Sequence, residues 1–288
     1  MGVITMDTVA LVDRYPDSDE RVIADSIIRA GGGPAAVAAV TLSRLGVAAA
    51  IVGTIGDDED GQKVLEIFKS EGVDTSGINM INGSTSGSVI IASKSEGTRA
   101  IATRQPVVQA PINNAAKELA SKSKWVHVDH VGIHRLAELG INRGGGPKIS
   151  FDAGYDVKEF DVTKVDLFAP NDRQMSLRHP SLELSAAVEA DAKTGGNIVV
   201  ATMGSKGSIG YSSESGLVSA AAIKGEIVST LGAGDVFHGA LLASFIENRS
   251  LADSLFRANV VAALSCRGLD GQSTIPKTSE LEGFIATL

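Results

Sequence analysis

The sequence predicts an α/β fold in which helices cover a mostly parallel central sheet and a small β-strand lid is attached. From Asn113 onward, helical patterns alternate with short apolar strands, which is typical of a parallel sheet with helices on both faces. Nearer the amino terminus, strands joined by polar turns do not fit such a sheet and indicate a separate antiparallel lid. The 288 residues contain no internal repeat or low-complexity linker. We therefore expect one domain over residues 1–288, with lid strands inserted at roughly 8–30 and 85–104.

The first hundred residues combine lid strands with elements of the main layer. Alternating and β-branched residues predict strands at 2–13 and 21–29. A helix is predicted from Pro34 to Arg44, because proline suits the first helical turn and Gly46 suits the end. A buried strand at 49–55, a helix at 62–70 and two strands at 87–92 and 99–103 follow.

The remaining residues carry the alternating pattern. Helices are predicted at 113–121, 134–139, 173–193 with an interruption at Pro180, 236–247 and 251–266. Buried strands are predicted at 125–128, 148–151, 166–169 and 197–202, and an exposed hairpin at 207–211 and 217–220.

Composition and charge exclude several classes of partner. The formal net charge is −8 and only 4% of the residues are aromatic, which argues against nucleic acid or an anionic membrane surface. No apolar run reaches the length of a membrane span, and the first residues lack a basic-then-apolar signal pattern. The single cysteine, Cys266, cannot form an intrachain disulfide and lies in an apolar helical stretch. We therefore expect a cytoplasmic protein.

The stretch from Ser229 to Leu242 carries the clearest chemical signal. The turn Gly232-Ala233-Gly234 runs directly into an apolar helix, with Asp235 in the first helical turn. Free N–H groups at a helix start form an anion site, and glycines let a ligand approach the backbone. A carboxylate there repels phosphate, but it is appropriate as the base that takes a proton from a hydroxyl during phosphoryl transfer. The alternative is an ordinary glycine-rich loop in which Asp235 complements the helix dipole.

Polar and glycine clusters follow several predicted strands. In open parallel sheets, ligands bind beyond the carboxyl ends of the strands. Clusters at such positions are Asp7, 31–33, 56–58, 129–130, Asp152, Asn171, 202–204 and 232–235. A lid that closes over them would exclude water, which phosphoryl transfer requires if ATP is not to be hydrolysed.

These motifs resemble those of the PfkB carbohydrate kinases, the ribokinase-like family. Residues 229–242 are similar to the family's C-terminal signature and residues 31–38 to its N-terminal signature, and 52–61, 71–78 and 202–207 resemble further family blocks. The blocks occur in the family's order and cover nearly the whole chain. The resemblance implies a ribokinase-like three-layer sandwich. It also implies a kinase that transfers the γ-phosphoryl group of ATP, with Mg²⁺, to a sugar hydroxyl.

The resemblance further implies roles for individual residues. Asp235 would be the base, and the N–H groups of Gly232, Ala233 and Gly234 would form the anion hole. The sugar pocket would contain Asp7, as an acceptor of hydroxyl hydrogen bonds, and Gly31, Gly32 and Gly33. The nucleotide side would contain Thr202, Gly204, Gly207, Asn259 near the adenine, and Asn171, which would arrange Mg²⁺ and phosphates through water.

Each polar residue of this set has a structural alternative. Asp7 would close a turn, Asn171 would cap the helix that follows it, and Asn259 would face solvent. No residue is assigned as a direct metal ligand.

Several positions depart from the family pattern. Ala36 replaces a sugar-binding Asn, Gln174 replaces the Glu of an Asn-x-x-Glu block, and Ser229 replaces a frequent Asp. These changes bear on a hydrogen bond to the sugar, on the Mg²⁺ arrangement and on a monovalent-cation site, respectively. Little of the family's first central strand precedes Gly2, so either this strand is short here or the start lies upstream.

The lid strands and their flanks carry Arg29, Lys94, Arg99 and Arg104 among their cationic residues. Charged residues on lid strands are usually solvated and discourage aggregation. The alternative is that one or two of them, with Arg104 as a candidate, pair with an anionic group of the sugar. That would suit an anionic or ketose sugar of the sulfofructose, fructose or 2-keto-3-deoxygluconate type. His130 is expected at the pocket edge, and since His130 and His134 lack a third ligand at metal-binding spacing, we expect no protein-held zinc.

Other functions compete with a sugar kinase. A nucleoside kinase uses the same fold, although few aromatic residues are present to stack a base. A catalytically silent sugar or nucleotide sensor is favoured by Gln174 and Ala36 and disfavoured by Asp235. A dinucleotide oxidoreductase is disfavoured because residues 31–33 lack the Gly-x-Gly-x-x-Gly spacing. Since lid strands often pair between protomers in this family, the resemblance also implies a homodimer through the lid strands.

Overall fold

The computed structural model describes residues 1–104, 109–155 and 157–288. Its strands are β1 (Thr5–Val12), β2 (Ala24–Gly32), β3 (Ala50–Gly56), β4 (Asp74–Ile81), β5 (Gly87–Ser93), β6 (Thr98–Arg104), β7 (Trp125–Val128), β8 (Lys148–Ala153), β9 (Leu167–Pro170), β10 (Ile198–Thr202), β11 (Ser208–Ser212) and β12 (Gly216–Ala220). Its α-helices are α1 (Pro34–Arg44), α2 (Glu59–Ser70), α3 (Asn114–Lys122), α4 (Leu136–Leu139), α5 (Asp172–Arg178), α6 (Leu184–Gly195), α7 (Ala233–Ile246), α8 (Leu251–Ser265) and α9 (Thr278–Ile285).

The largest sheet has six strands in the order β12-β11-β10-β9-β8-β7. Strands β7 to β10 are parallel, as the alternating pattern predicted, and β11 and β12 extend the sheet as an antiparallel hairpin. The prediction that this hairpin is exposed was wrong for β11. Its residues alternate between buried and half-buried, because α6 and α8 pack against it.

A smaller parallel pair, β3 and β4, lies on the other side of the first residues of the chain. The N atom of Met1 donates to the carbonyl of His127 in β7, and Asp129 N–H donates to the Met1 carbonyl. Gly2 N–H donates to the carbonyl of Val52 in β3 at 3.0 Å. Met1 and Gly2 therefore form a short parallel link between β3 and β7.

The lid is a four-stranded sheet in the order β2-β1-β5-β6. Its strands occupy residues 5–12, 24–32, 87–93 and 98–104, compared with the expected 8–30 and 85–104. Val9 pairs with Ile90, Ile90 with Ile101, and Ala92 with Arg99. Since side chains alternate along a strand, Asp7, Val9 and Arg99 share one face of the lid, whereas Arg104 lies on the opposite face.

The core beside the lid is centred on α7. Helix α7 is apolar around most of its circumference because it packs against both α1 and α8. A β-carbon at Gly239 would lie 2.7 Å from Cβ of Thr41, so the small side chains of α1 and α7 allow a close approach.

No helix among the described residues is both long and apolar enough to cross a membrane.

A mostly apolar cavity of about 660 Å³ lies between β3 and β7, and Met1 forms part of its wall. Its walls include Ala50 and Val52 of β3, Trp125 and Val126 of β7, and residues of α1, α3 and α7. Strands β3 and β7 therefore face each other across a groove that Met1 borders.

Candidate active site

Asp235 and the glycine turn lie in a pocket beneath the lid. Asp7 and Val9 of β1, the glycines 31–33, and the turn residues 231, 232 and 235 line this pocket. Asp270 and Gly271, from the segment after α8, complete its wall. The structure therefore brings together the sequence-predicted Asp7, Gly31, Gly32, Gly33, Gly232 and Asp235.

The turn before α7 requires glycine and presents helix N–H groups. Gly232 has a φ of 73°, and a β-carbon there would lie 2.9 Å from Cα of Gly271. The N–H of Ala233 donates to the Thr230 carbonyl at 3.3 Å. Because the first N–H groups of an α-helix have no acceptor within the helix, those of Gly234 and Asp235 are the donors that the helix geometry leaves for an anion. Of the predicted anion hole, Ala233 is thus satisfied internally in this conformation.

Asp235 is surrounded by other ionisable groups. Burial is the main cause that raises its pKa well above the usual range for a carboxyl group, and the neighbouring Asp152 carboxylate raises it further. The positive charge of His238 acts in the opposite direction. A carboxylate whose pKa is raised in this way accepts a proton more readily than an exposed aspartate does.

Asp152 and His238 form a buried ion pair next to Asp235. Nδ1 of His238 lies 3.0 Å from Oδ2 of Asp152, although the angle does not satisfy hydrogen-bond geometry. Burial opposes ionisation of both groups, but their mutual attraction outweighs it. The pKa of Asp152 is therefore lowered to about 2 and the pKa of His238 is raised.

A third buried side chain, His127 of β7, adjoins this pair. Its Nδ1 lies 3.0 Å from Oγ of Ser150, and burial followed by the charge of His238 lowers its pKa to about 3. One ligand atom from each of His127, Asp152 and His238 lies within 4.8 Å of the others, so this group offers the chemistry of a metal site. The expectation of no protein-held zinc stays a prediction.

The side of the pocket that was predicted to bind the sugar is organised by Asp7. Its carboxylate accepts hydrogen bonds from Thr5 Oγ1 at 3.0 Å and from Ser88 N–H at 2.8 Å. Burial raises the pKa of Asp7, and these hydrogen bonds counteract that effect. A β-carbon at Gly32 would collide with the Asp7 carboxylate, and Gly33 adopts a φ of 96° against the backbone of Val3. The glycines therefore permit close contact between β1, β2 and the backbone of Val3.

The residues predicted on the nucleotide side lie elsewhere, around the ends of β10 and β12. Gly207 has a φ of 97° and packs directly against the backbone of Ala220 and Ala221. Asn259 in α8 is buried, and its Nδ2 donates to the carbonyls of Ala220 and Ala221. Gly207 and Asn259 therefore contact the same segment.

Three other predicted nucleotide residues neighbour that segment or the adjoining strand end. Thr202 ends β10 and forms a parallel bridge with Asn171, and Gly204 begins a 3₁₀ turn with a φ of 55°. Asn171 caps α5, where its Oδ1 accepts from Gln174 N–H at 2.8 Å. The structural alternative that the sequence offered for Asn171 is therefore realised.

Arg104 and His130 lie outside the lining of the pocket. Arg104 donates to the Thr85 carbonyl at 2.9 Å. The ring of His130 lies 4.3 Å from the ring of Tyr155, centroid to centroid. Their proposed contacts with substrate stay predictions.

Sequence reasoning missed the chemical setting of Asp235. It placed Asp152 at a strand end without a partner, and it assigned no role to His238, Asp270 or Gly271. The signal for His238 was its position one helical turn after Asp235, which puts both side chains on one helix face.

Comparisons with known proteins identify the family of this chain. The profile of the pfkB family of carbohydrate kinases matches residues 1–138 and 156–278. A ribokinase of Lactococcus lactis is 28% identical over 100% of this chain and 96% of its own length, and a fructokinase of Solanum tuberosum is 25% identical over 92% and 88%.

A solved structure confirms the predicted ribokinase-like fold. The Arabidopsis thaliana ribokinase, complexed with ribose and ATP, superposes with a TM-score of 0.82 at 21% identity and covers 99% of this chain and 96% of its own. The family profile spans most of the chain, and the fold carries a carboxylate at a helix start beneath a lid. The chain belongs to the pfkB family of carbohydrate kinases, which are phosphotransferases with an alcohol group as acceptor.

Proposed function

We propose that this chain is an ATP- and Mg²⁺-dependent sugar kinase in which Asp235 is the catalytic base. The observation that carries the proposal is the position of Asp235 at the start of α7, in the same pocket as Asp7. The chain's relatives include a ribokinase and a fructokinase, and the related Arabidopsis structure holds ribose and ATP. Mg²⁺ would accompany the nucleotide, because it neutralises the triphosphate and is usually bound through phosphates and few carboxylates.

The proposed reaction is an in-line phosphoryl transfer. Asp235 accepts the proton of a sugar hydroxyl while that oxygen forms a bond to the γ-phosphorus. The bond between the γ-phosphorus and the bridging oxygen breaks, and ADP leaves with the bonding electrons. N–H groups at the start of α7 stabilise the charge on the transferring group, and the raised pKa of Asp235 suits the proton transfer.

The two substrates would bind on two sides of Asp235, the sugar beside Asp7 and the nucleotide beside the ends of β10 and β12. Asp7 would accept hydrogen bonds from sugar hydroxyls, with Gly31, Gly32 and Gly33 giving them access. The nucleotide would lie along the segment that Asn259 and Gly207 support, near Thr202 and Gly204. Asn171 would reach the phosphates through water in addition to capping α5.

Arg99 supports an anionic sugar as the acceptor. It lies on the same lid face as Asp7, and its Nη1 donates to Oγ1 of Thr230, next to the glycine turn, at 3.1 Å. The three other cations named for the lid have partners away from the pocket: Arg29 pairs with Asp60, Lys94 with Asp25, and Arg104 with the Thr85 carbonyl. Among the described residues, Arg99 forms no ion pair, so its charge remains for a sulfonate, phosphate or carboxylate of the sugar.

The test is a coupled ADP-release assay with matched neutral and anionic pentoses and hexoses. The parent chain should prefer an anionic sugar, and Asp235→Asn should lower kcat by a factor of about 10³ or more with an unchanged melting temperature. Arg99→Gln should raise KM for the anionic sugar by a factor of about 10 to 100, whereas the matched lid variant Arg29→Gln should not. Near-parent turnover by Asp235→Asn would overturn the catalytic assignment. A preference for neutral sugars, unchanged in Arg99→Gln, would overturn the substrate class only.

We further propose a homodimer through the lid. Ile27 and Val89 are 67% and 57% exposed on the lid face that points away from Asp7, and exposed apolar patches on a sheet mark association surfaces. The buried thiol of Cys266 suits the reducing cytoplasm that we propose as its location. The molar mass in solution, measured by light scattering, checks the dimer.

A further inference from the structure

Two buried histidines behind the glycine turn have ring nitrogens without a hydrogen-bond partner. Nε2 of His127, in β7, and both ring nitrogens of His238, in α7, are buried and make no hydrogen bond to the described residues. The two residues are only 9% and 6% exposed. Buried polar atoms of folded proteins almost always have a partner, and a bound ion is one of the partners that they take. These nitrogens therefore point to a ligand.

Asp152, near the end of β8, joins the two histidines in one group. Its Oδ2 lies 3.0 Å from Nδ1 of His238, and one ligand atom from each of the three residues lies within 4.8 Å of the others. Among the described residues, no other three His, Cys, Asp or Glu side chains meet in this way. Ligand atoms around a tetrahedral ion are roughly 3.4 Å apart, so side-chain movements of about 1.5 Å bring all three onto one ion.

Neighbouring groups hold two of the three side chains by the atoms that a metal ion does not need. Oγ of Ser150 lies 3.0 Å from Nδ1 of His127, which leaves Nε2 of that ring for a metal. Gly154 N–H donates to Oδ1 of Asp152 at 3.0 Å, which leaves Oδ2. Metal-binding histidines and carboxylates in proteins are usually oriented by hydrogen bonds of this kind.

The charge around the group also favours a cation. Asp129, Asp152 and Asp235 lie close enough to influence one another electrostatically. Asp129 itself is not a free ligand, because its two carboxylate oxygens accept from three backbone N–H groups. A divalent cation bound to Asp152 would offset the negative charge of all three carboxylates.

We propose that His127, Asp152 and His238 bind one divalent transition-metal ion through Nε2, Oδ2 and Nδ1, respectively. Two imidazole nitrogens and one carboxylate oxygen suit Zn²⁺, and Co²⁺ as its probe, whereas Mg²⁺ prefers oxygen ligands. Water takes the fourth tetrahedral position. The ion joins β7, β8 and α7, three elements far apart in the sequence, directly behind the turn that carries Asp235. This structural role is independent of the proposed role of Asp235 as the base.

The experiment titrates Co²⁺ into the full chain, prepared without a histidine tag and stripped of metal with EDTA. One equivalent should bind with the visible absorption of tetrahedral Co²⁺. Zn²⁺ should abolish this absorption, whereas a large excess of Mg²⁺ should not. His127→Gln and His238→Gln should each weaken Co²⁺ binding by a factor of about 100 or more, and Ser150→Ala by a factor of about 10 to 100. Saturating Zn²⁺ should raise the melting temperature of the parent chain by roughly 5 °C and leave both histidine variants unchanged.

His179→Gln is the matched control, because it removes a histidine from another histidine–aspartate pair, in which Nε2 lies 3.0 Å from Oδ1 of Asp191. This variant should bind Co²⁺ as the parent chain does. A parent chain that binds less than one equivalent, or histidine variants that bind as tightly as the parent, would overturn the inference.

If the histidine variants do not fold, X-ray absorption of the Zn²⁺-loaded parent chain decides, because it counts the imidazole ligands. Two imidazoles support the site, and fewer than two overturn it. The same result decides the expectation of no protein-held zinc, which considered only His130 and His134. Since no readout here is kinase activity, a failed metal site leaves the proposed base untouched.

Discussion

The groove between β3 and β7 leads to a stability prediction. Met1 lies between these strands with parallel hydrogen bonds to β7, and the apolar cavity of about 660 Å³ continues from it along both strands. We expect four alternating valine and isoleucine residues, added directly before Met1, to continue the link as a central parallel strand. Four residues extend about 13 Å, which is sufficient to run alongside Trp125 and Ala50 at the starts of the two strands.

The magnitude follows from burial, ordering and hydrogen bonding. Burial of four apolar side chains contributes about 8 kcal/mol. Ordering four residues costs about the same amount. The net gain therefore comes from the hydrogen bonds to β3 and β7, roughly five of them at about 1 kcal/mol each. For a domain of this size, a gain of about 5 kcal/mol corresponds to a rise in melting temperature of roughly 10 °C.

The assay is thermal and urea unfolding of three chains: the parent, the valine and isoleucine extension, and a glycine and serine extension of equal length as the matched control. Only the apolar extension should raise the melting temperature and the urea midpoint. If both extensions behave alike, the groove does not accept a strand and the reasoning is refuted. If the apolar extension lowers the melting temperature, the groove between β3 and β7 is too narrow to hold a strand, and the reasoning is refuted in the same way.

Two further predictions concern single side chains. Gly32→Ala should raise KM for the sugar by a factor of about 10 or more with little change in KM for ATP, because the new methyl group collides with Asp7. Gly146→Ala is the kinetic control, because its new methyl group meets no atom within 4 Å. A KM for the sugar that is equal in Gly32→Ala and in the parent chain would contradict the prediction. His127 should destabilise the chain in acid, since its pKa falls from 6.5 in the unfolded chain to about 3 in the fold. The stability that neutral His127 contributes to the fold is fully present above pH 6.5. It is lost as the pH falls toward 3, at up to about 1.4 kcal/mol per pH unit. His127→Asn should flatten the free energy of unfolding over that range in urea titrations, and an unchanged slope would refute the assignment.

Local sequence signals predicted those elements whose ends and faces depend on nearby residues. Helix α1 begins at Pro34 and ends at Arg44 as predicted, because proline favours the first turn and the small apolar residues fit against α7. Strand β4 and helix α9 were not predicted. Strand β4 contains Gly77 and an asparagine and depends on pairing with β3, whereas α9 is short, contains Gly283 and is held by burial of Leu281.

The sequence by itself determined the family, the phosphoryl-transfer chemistry and the candidate base. The glycine turn and Asp235 are contiguous in the chain, so together they indicate an anion site beside a base without knowledge of the fold. Only the tertiary structure decided which distant groups surround that base and which lid cation faces it. The pairing of Asp152 with His238 depends on β8 meeting α7, and the placement of Arg99 instead of Arg104 on the pocket face depends on strand register. Both are long-range contacts, and a shift of one residue in register exchanges the two faces of a strand.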